Sequence, residues 1–326
     1  MTAHKKVVVI GGGTGQSIIL RGLKQIPDIN LSTIVTVADD GGSTGRLRRA
    51  YQIPAMGDIR NVMLALAESE SLLNELMSYR FEDNEEHTED DLAGHNLGNI
   101  ILTALTTKSG SFMEAITLIS KVLNVKGDII PSTTQVVTLY AHMEDGTIVK
   151  GETNIPKTKN KIKDVFYNEP VEATKQAIKA LEQADLIVFG IGSLYTSICA
   201  NLIIPDIRKA LQKTHARKVY LCNAMTQKGE TDNYTMEDHV SKLETHSGIT
   251  IDEVLMYSDK IPQSLKDKYA TQDACPVIIK DKFHPYKVIH RKLLTYDNDL
   301  IRHDSNRIQN AITAILKELD GYVLYD

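Results

Sequence analysis

Residues 5–20 read Lys5-Lys-Val-Val-Val-Ile-Gly-Gly-Gly-Thr-Gly-Gln-Ser-Ile-Ile-Leu20, and this stretch decides the fold class. Lys5 to Ile10 is a short β-branched run of the kind found in buried strands. Gly11 to Gly15 breaks it, and apolar positions from Ile18 to Ile26 then recur at helical spacing until Pro27. Leu31 to Val37 forms a second strand with an alternating face. Strand, helix, strand in this order is one βαβ unit. The chain is therefore expected to be α/β, a doubly wound, mostly parallel sheet with helices on both faces.

The remaining sequence keeps that alternation. Helical patterns are predicted at about Ile59–Ala67, Leu72–Tyr79, Asn99–Thr107 and Phe112–Leu123, followed by a β-hairpin insertion. Its strands, Val137–Ala141 and Thr147–Lys150, flank the Asp145-Gly146 turn signal. A second series begins with a helix at Glu172–Gln183, the strand Leu186–Phe189, a Gly-rich loop, a helix to about Leu211 and the strand Lys218–Leu221. Thr235 and Asp238 have capping-box spacing, and a last helix is predicted over Ser305–Leu319. Ile261 to Tyr296 shows little helical period and reads as short strands and loops. One large domain over residues 1–326 is expected, with a C-terminal elaboration at about 255–300 placed over the site. About 80–95 reads as an acidic mobile loop, seven of the ten residues from Glu82 to Asp91 being acidic. Lys157, Lys159, Lys161 and Lys163 read as the wet side of an extended segment.

Composition narrows the function. The net charge is −5, whereas a generic nucleic-acid binder is basic overall, so no nucleic-acid partner is expected. Cys199, Cys222 and Cys275 are odd in number and widely spaced, which fits a reducing compartment and a cytoplasmic protein. No window approaches the ~18 apolar residues of a membrane span, and Val7–Ile10 is too short for a signal-peptide core, so no membrane insertion is expected. A homo-oligomer is left open.

Several donor-rich strings follow the predicted strands. Gly11–Gly15 opens the first helix, where exposed N–H groups favour anions. It fits neither the dinucleotide pattern, because Gln16 stands where the third glycine belongs, nor the Walker pattern, which needs a Lys before Ser17. A glycine turn made only for close helix packing is the alternative. After the second strand, Asp39-Asp40-Gly-Gly42-Ser43-Thr-Gly-Arg46-Leu-Arg48-Arg49 combines carboxylates, a flexible loop and guanidinium groups. That combination suits a divalent cation and a bidentate phosphate clamp. Asp58 and Arg60 follow, then His95 and Asn99 at a helix entry, then Ser193 with Tyr195, and finally Asn223, Thr226 and Gln227. If the strands are parallel, these loops emerge at one edge, where open α/β sheets bind ligands. Five or six charge-assisted hydrogen bonds of roughly 1.5–3 kcal/mol each would hold a diphosphate there.

Taken together, Gly11–Gly15, Ala38–Ser43 with Arg46 and Arg48, Gly57-Asp58-Ile-Arg60, Gly94-His95-Asn-Leu-Gly98-Asn99, Gly192–Ser197 and Met225–Thr231 resemble the bacterial gluconeogenesis factors of the CofD-like superfamily. The motifs run in order through most of the chain. Ile191 and Ala200 depart from the family's prolines. The resemblance implies a Rossmann-like fold and a regulator of cell shape and cell-wall precursor supply during gluconeogenic growth. It also implies a UDP-sugar ligand, UDP-N-acetylglucosamine or UDP-glucose, with no cofactor required. A glucosamine-6-phosphate-forming synthase is the implied partner. The ligand set expected is Gly12, Gly13, Thr14, Asp39, Asp40, Gly42, Ser43, Arg46, His95, Asn99, Ser193, Tyr195, Asn223, Thr226 and Gln227, with Tyr269 and Arg302 from the C-terminal third. Glycine-loop N–H groups and Arg46 would take the diphosphate, and Tyr269 or Tyr195 would stack on uracil. The alternative is a magnesium-dependent CofD-like phospholactyl or related phosphoryl transferase, with Asp40 and Asp58 on the metal. A dinucleotide-dependent oxidoreductase draws only on the first glycine loop.

Overall fold

The computed structural model describes residues 4–68, 72–82, 92–158 and 160–321. Most of the acidic stretch, and Lys159 of the lysine alternation, lie outside them.

The predicted βαβ unit is present as β1 (Lys5–Gly11), α1 (Gly13–Leu23) and β2 (Ile29–Val35). Among the described residues five helices follow before β3 (Asp128–Pro131): α2 (Gly42–Tyr51), α3 (Gly57–Leu66), α4 (Leu72–Ser78), α5 (Leu97–Ser109) and α6 (Phe112–Val122). The insertion is β4 (Leu139–Met143), β5 (Ile148–Lys150) and β6 (Ile162–Tyr167), an antiparallel sheet of order β5-β4-β6. Next come α7 (Lys175–Glu182), β7 (Leu186–Phe189), a π-helical turn at Leu194–Cys199 running into α8 (Ala200–Leu202), α9 (Pro205–Lys213) and β8 (Arg217–Leu221). The chain closes with α10 (Met236–Ser247), β9 (Glu253–Tyr257), α11 (Gln263–Ala270), β10 (Lys287–Arg291), the hairpin β11 (Leu294–Asp297) with β12 (Leu300–His303), and α12 (Ser305–Leu319).

Seven strands form one sheet in the order β10-β9-β8-β7-β1-β2-β3, and every neighbouring pair is parallel. The chain moves outward from β1 to β3, returns to the other side of β1 at β7, and continues outward to β10. Strand order therefore reverses between β1 and β7, the place where such sheets bind ligands at the carboxyl ends of their strands. Val7, Val9, Ile10, Ile187 and Phe189 are fully buried, as strands covered on both faces require. A single apolar core joins both halves of the sheet to α12.

Differences from the sequence reading have identifiable causes. Helix α1 begins at Gly13 instead of Ile18 because its glycine turn is packed onto the loop after β7: a Cβ at Gly15 would collide with Ile191 O. The Gly42–Gly45 string is the first turn of α2, with Gly45 N donating to Gly41 O at 2.8 Å. A side chain at Gly45 would strike Asp40 O, so close packing selects glycine there. Helix α11 falls in the span read as strands and loops, and β3 and β9 went unpredicted. The segment 255–300, expected as an elaboration, completes β9 and contributes β10 to the main sheet. Its loop also pairs with the turn after β8, through Thr226 N to Cys275 O at 2.8 Å and Val277 N to Ala224 O at 2.9 Å.

Candidate functional site

The expected loops meet at the reversal point. A Cβ on Gly12 would lie 2.6 Å from Asp58 Oδ2, 2.7 Å from Thr36 Cγ2 and 3.3 Å from Ser197 Cβ. Gly12 is thus where the turns after β1, β2 and β7 converge with the start of α3. On the far side, Asn223 Nδ2 donates to Gly192 O at 2.9 Å and Ser193 Oγ to Gln227 Oε1 at 2.9 Å. The turn after β8 is thereby tied to the turn after β7.

The floor of this rim is acidic. The Gly13 N–H, at the N-terminus of α1, donates to the Asp58 carboxylate. Asp58 is half-buried, and burial together with the nearby Asp39 pushes its carboxyl up to about 7. Glu152, on the turn after β5, is pushed up to about 9, first by burial and then by Asp39, Asp58, Glu230 and Asp40. Glu230 is buried and also raised by burial, while accepting from Tyr195 N at 3.1 Å and Thr196 Oγ1 at 2.9 Å. The Asp39 carboxylate accepts from Gly41 N at 2.9 Å. Asp40 turns outward, its Oδ1 accepting from Thr153 N at 3.0 Å and Thr153 Oγ1 at 2.6 Å, which latches the insertion onto the loop after β2. The expected metal pair is corrected on this point: Asp40 and Asp58 serve different partners. Among the described residues no group of three His, Cys, Asp or Glu side chains is placed to hold a metal ion.

The opposite half is basic. Ser43 Oγ lies 3.1 Å from His95 Nδ1 and accepts from Asn96 N at 3.1 Å and Asn99 Nδ2 at 3.3 Å. Arg60 donates to Asn99 Oδ1 at 3.2 Å. Arg46, exposed on α2, donates to Ala93 O at 2.6 Å, and Arg80 to Gly94 O at 2.7 Å, so both flank the His95 turn. Burial, then Arg46, then Arg80 push the His95 ring below its ordinary value. Arg48 is buried and spends its donors on Ala38 O, Val137 O and Thr138 Oγ1, so it braces the loop and is no clamp. Gly42, at a φ of +43, and Thr14 sit at the open first turns of α2 and α1.

Two further expectations change. Tyr195 is fully buried, its hydroxyl 3.2 Å from Ile162 O and 2.7 Å from the Tyr234 hydroxyl, so its ring is core and offers no face to a base. Thr226 is buried and its hydroxyl accepts from Cys275 N at 2.9 Å, a brace for the C-terminal segment. Tyr269 and Arg302 do share one patch: Ile301 N donates to the Tyr269 hydroxyl at 3.0 Å, while Arg302 is exposed. His303, the next residue on β12, is buried and reaches the Cys222 backbone, so this segment packs on the end of β8. Sequence reading missed Thr36, Arg80 and Glu152. Glu152 is one residue past Gly151, a glycine forced to a φ of +95, and no local pattern marks it.

The family described as 2-phospho-L-lactate transferase CofD matches residues 7–294. A gluconeogenesis factor of Bacillus subtilis is 46% identical over 98% of this chain and 100% of its own length. A putative gluconeogenesis factor of Thermotoga maritima is 40% identical over 95% of this chain and 99% of its own. A crystal structure of a UPF0052 family member from Bacillus halodurans superposes with a TM-score of 0.89 at 44% identity, covering 94% of this chain and 99% of that one. Among the described residues no helix is long and apolar enough to cross a membrane.

Proposed function

Since the chain belongs to the CofD family, on the side of the gluconeogenesis factors, we propose that it is a cytoplasmic regulator that binds a UDP-sugar at the rim around Gly12. UDP-N-acetylglucosamine and UDP-glucose are the ligands proposed. The ligand state would couple gluconeogenic growth to cell shape and cell-wall precursor supply, with a glucosamine-6-phosphate-forming synthase as partner. The observation that supports this reading is the meeting of four donor-bearing turns at the point where strand order reverses. Asn223 Oδ1 is buried there without a partner among the described residues, an acceptor suited to a sugar or ribose hydroxyl. Tyr269 is the remaining candidate to stack on the base.

A second reading is favoured by the acidic floor. Asp58, with Asp39 close by, would supply one or two carboxylates to a cation that a phosphate substrate brings, as a magnesium-dependent phosphoryl or phospholactyl transferase would require. Calorimetric titration with the two UDP-sugars, followed by phosphorus NMR with magnesium and candidate acceptors, separates the two. Saturable binding with unchanged phosphorus resonances is expected. A new phosphorus species would replace the regulator with the transferase, and absence of binding by either UDP-sugar would overturn the nucleotide-sugar reading.

A further inference from the structure

The glycine turn of α1 is not vacant. Its Gly13 N–H already serves a carboxylate, Asp58, and Asp39, Glu152 and Glu230 stand close by. A diphosphate at that turn would have to displace the Asp58 carboxyl from the Gly13 N–H and then lie among three more acidic side chains, none of which offers it a counter-charge. One helix away the charge reverses. Arg46 and Arg80 each use one guanidinium nitrogen on the carbonyls of Ala93 and Gly94, and their other N–H groups have no acceptor among the described residues, which suits them to an anion. Arg60 stands between the two halves, with Asp58 and Asp39 on one side and Arg80 on the other. Its Nε is buried and has no acceptor among the described residues.

The hydrogen bonds also settle which ring nitrogen of His95 carries the proton. Ser43 Oγ accepts two donors, Asn96 N and Asn99 Nδ2, which occupy both its lone pairs. Its one hydrogen must therefore point to the third partner, His95 Nδ1, 3.1 Å away. Nδ1 is then the acceptor and Nε2 carries the proton. That Nε2–H has no partner among the described residues and is not sealed off, so it is a donor fixed between two arginines.

We infer that the anionic group of the ligand is held at a second subsite formed by Arg46, Arg80 and the Nε2–H of His95, with Ser43 as the residue that positions the ring. The ligand class is a phosphate or diphosphate. In a UDP-sugar this subsite takes the diphosphate, so for that ligand the inference rests on the nucleotide-sugar reading.

Inorganic pyrophosphate is the probe that tests the subsite independently of that reading. Calorimetry should show wild-type binding, a loss of at least tenfold in Arg80→Gln or Arg46→Gln, and recovery of most of it in Arg80→Lys. Asp58→Asn should change pyrophosphate affinity less than threefold. If pyrophosphate sits at the glycine turn instead, Asp58→Asn tightens it tenfold or more and Arg80→Gln leaves it unchanged; either result overturns the assignment, as does absence of wild-type binding at millimolar concentration. Nitrogen NMR of the imidazole reads the positioning role. His95 should be a neutral Nε2–H ring in the wild type, a mixture of tautomers in Ser43→Ala with weaker pyrophosphate binding, and restored in Ser43→Thr. An unchanged ring in Ser43→Ala removes Ser43 from that role. A protein that binds pyrophosphate here but no UDP-sugar retains the subsite and loses the nucleotide-sugar reading.

Discussion

Gly15 and Asp58 show how single residues set the site. Gly15 is glycine because α1 rests directly on Ile191 O, where any side chain collides with backbone. Gly15→Ala should cost about 1–3 kcal/mol, the usual cost of overpacking, and should weaken UDP-sugar binding by shifting α1. Urea denaturation and titration of the same variant check both parts. An unchanged denaturation midpoint would show that the contact relaxes freely. Asp58 works in the other direction. Its carboxyl is pushed up to about 7 in the folded chain from an ordinary value of 3.8. Between about pH 4 and pH 7 the native state holds a proton that the unfolded chain has released, so this group makes stability fall as pH rises. Asn keeps an oxygen for the Gly13 N–H and never ionises. At pH 8 Asp58→Asn should therefore stabilise the ligand-free protein by on the order of 1–2 kcal/mol, with the advantage fading toward pH 4. A variant less stable than wild type at pH 8 would mean that the ionised carboxylate is held by something stronger than the Gly13 N–H.

Elements explain what could be read in the sequence and what could not. Strand Leu186–Phe189 and helix Ser305–Leu319 match their predicted bounds because each carries its own signal, an apolar run in one and a helical stripe closed by Gly321 in the other. Thr235 and Asp238 likewise form the full reciprocal capping box at the start of α10. Thr235→Ala should cost about 1 kcal/mol, measured by denaturation, while leaving ligand affinity unchanged because the Thr235 side chain bonds only within the first turn of α10. A loss of affinity would show that the cap acts on the rim through the turn after β7, whose Tyr195 packs against His246 of α10 at 5.6 Å. The start of α2 reads as a flexible loop in the sequence because Gly42, Ser43, Thr44 and Gly45 are poor helix formers in isolation. Its start is imposed by packing, with Gly45 against Asp40 O and Gly57 against Thr44 and Asp39. The site was legible as a set of loops, since parallel strands send their carboxyl ends to one edge. Which residues face the ligand was not legible, because that depends on pairings such as Asp40 with Thr153, 113 positions apart, and on the inward turn of Tyr195 and Arg48.

Over the whole molecule, buried ionisable groups fix how stability should respond to pH. His239, His246 and His303 are all pushed below their ordinary value, first by burial, His303 to about 4. The unfolded chain takes up protons on these rings below about pH 6.5 while the native chain does not, so they make stability fall as pH drops. Asp58, Glu152, Glu230 and Glu253 are all raised by burial, to about 7 and about 9 for the first two. They keep protons in the native state that the unfolded chain has lost above about pH 4, so they act with the opposite sign. Between pH 4 and 6.5 the two sets oppose each other. Above 6.5 the histidines are neutral in both states and only the carboxyls act, joined near pH 9 by the buried thiols of Cys199 and Cys222, which burial also raises. The ligand-free protein should therefore be most stable near pH 6 and lose stability steadily toward pH 9, read as urea midpoints across that range. A midpoint that rises from pH 6.5 to pH 9 would show that the carboxyls around Gly12 are ionised without cost, and the acidic floor would then repel a diphosphate at neutral pH even without a ligand-driven change. A midpoint that falls, and falls less in Asp58→Asn, would assign the loss to the rim itself.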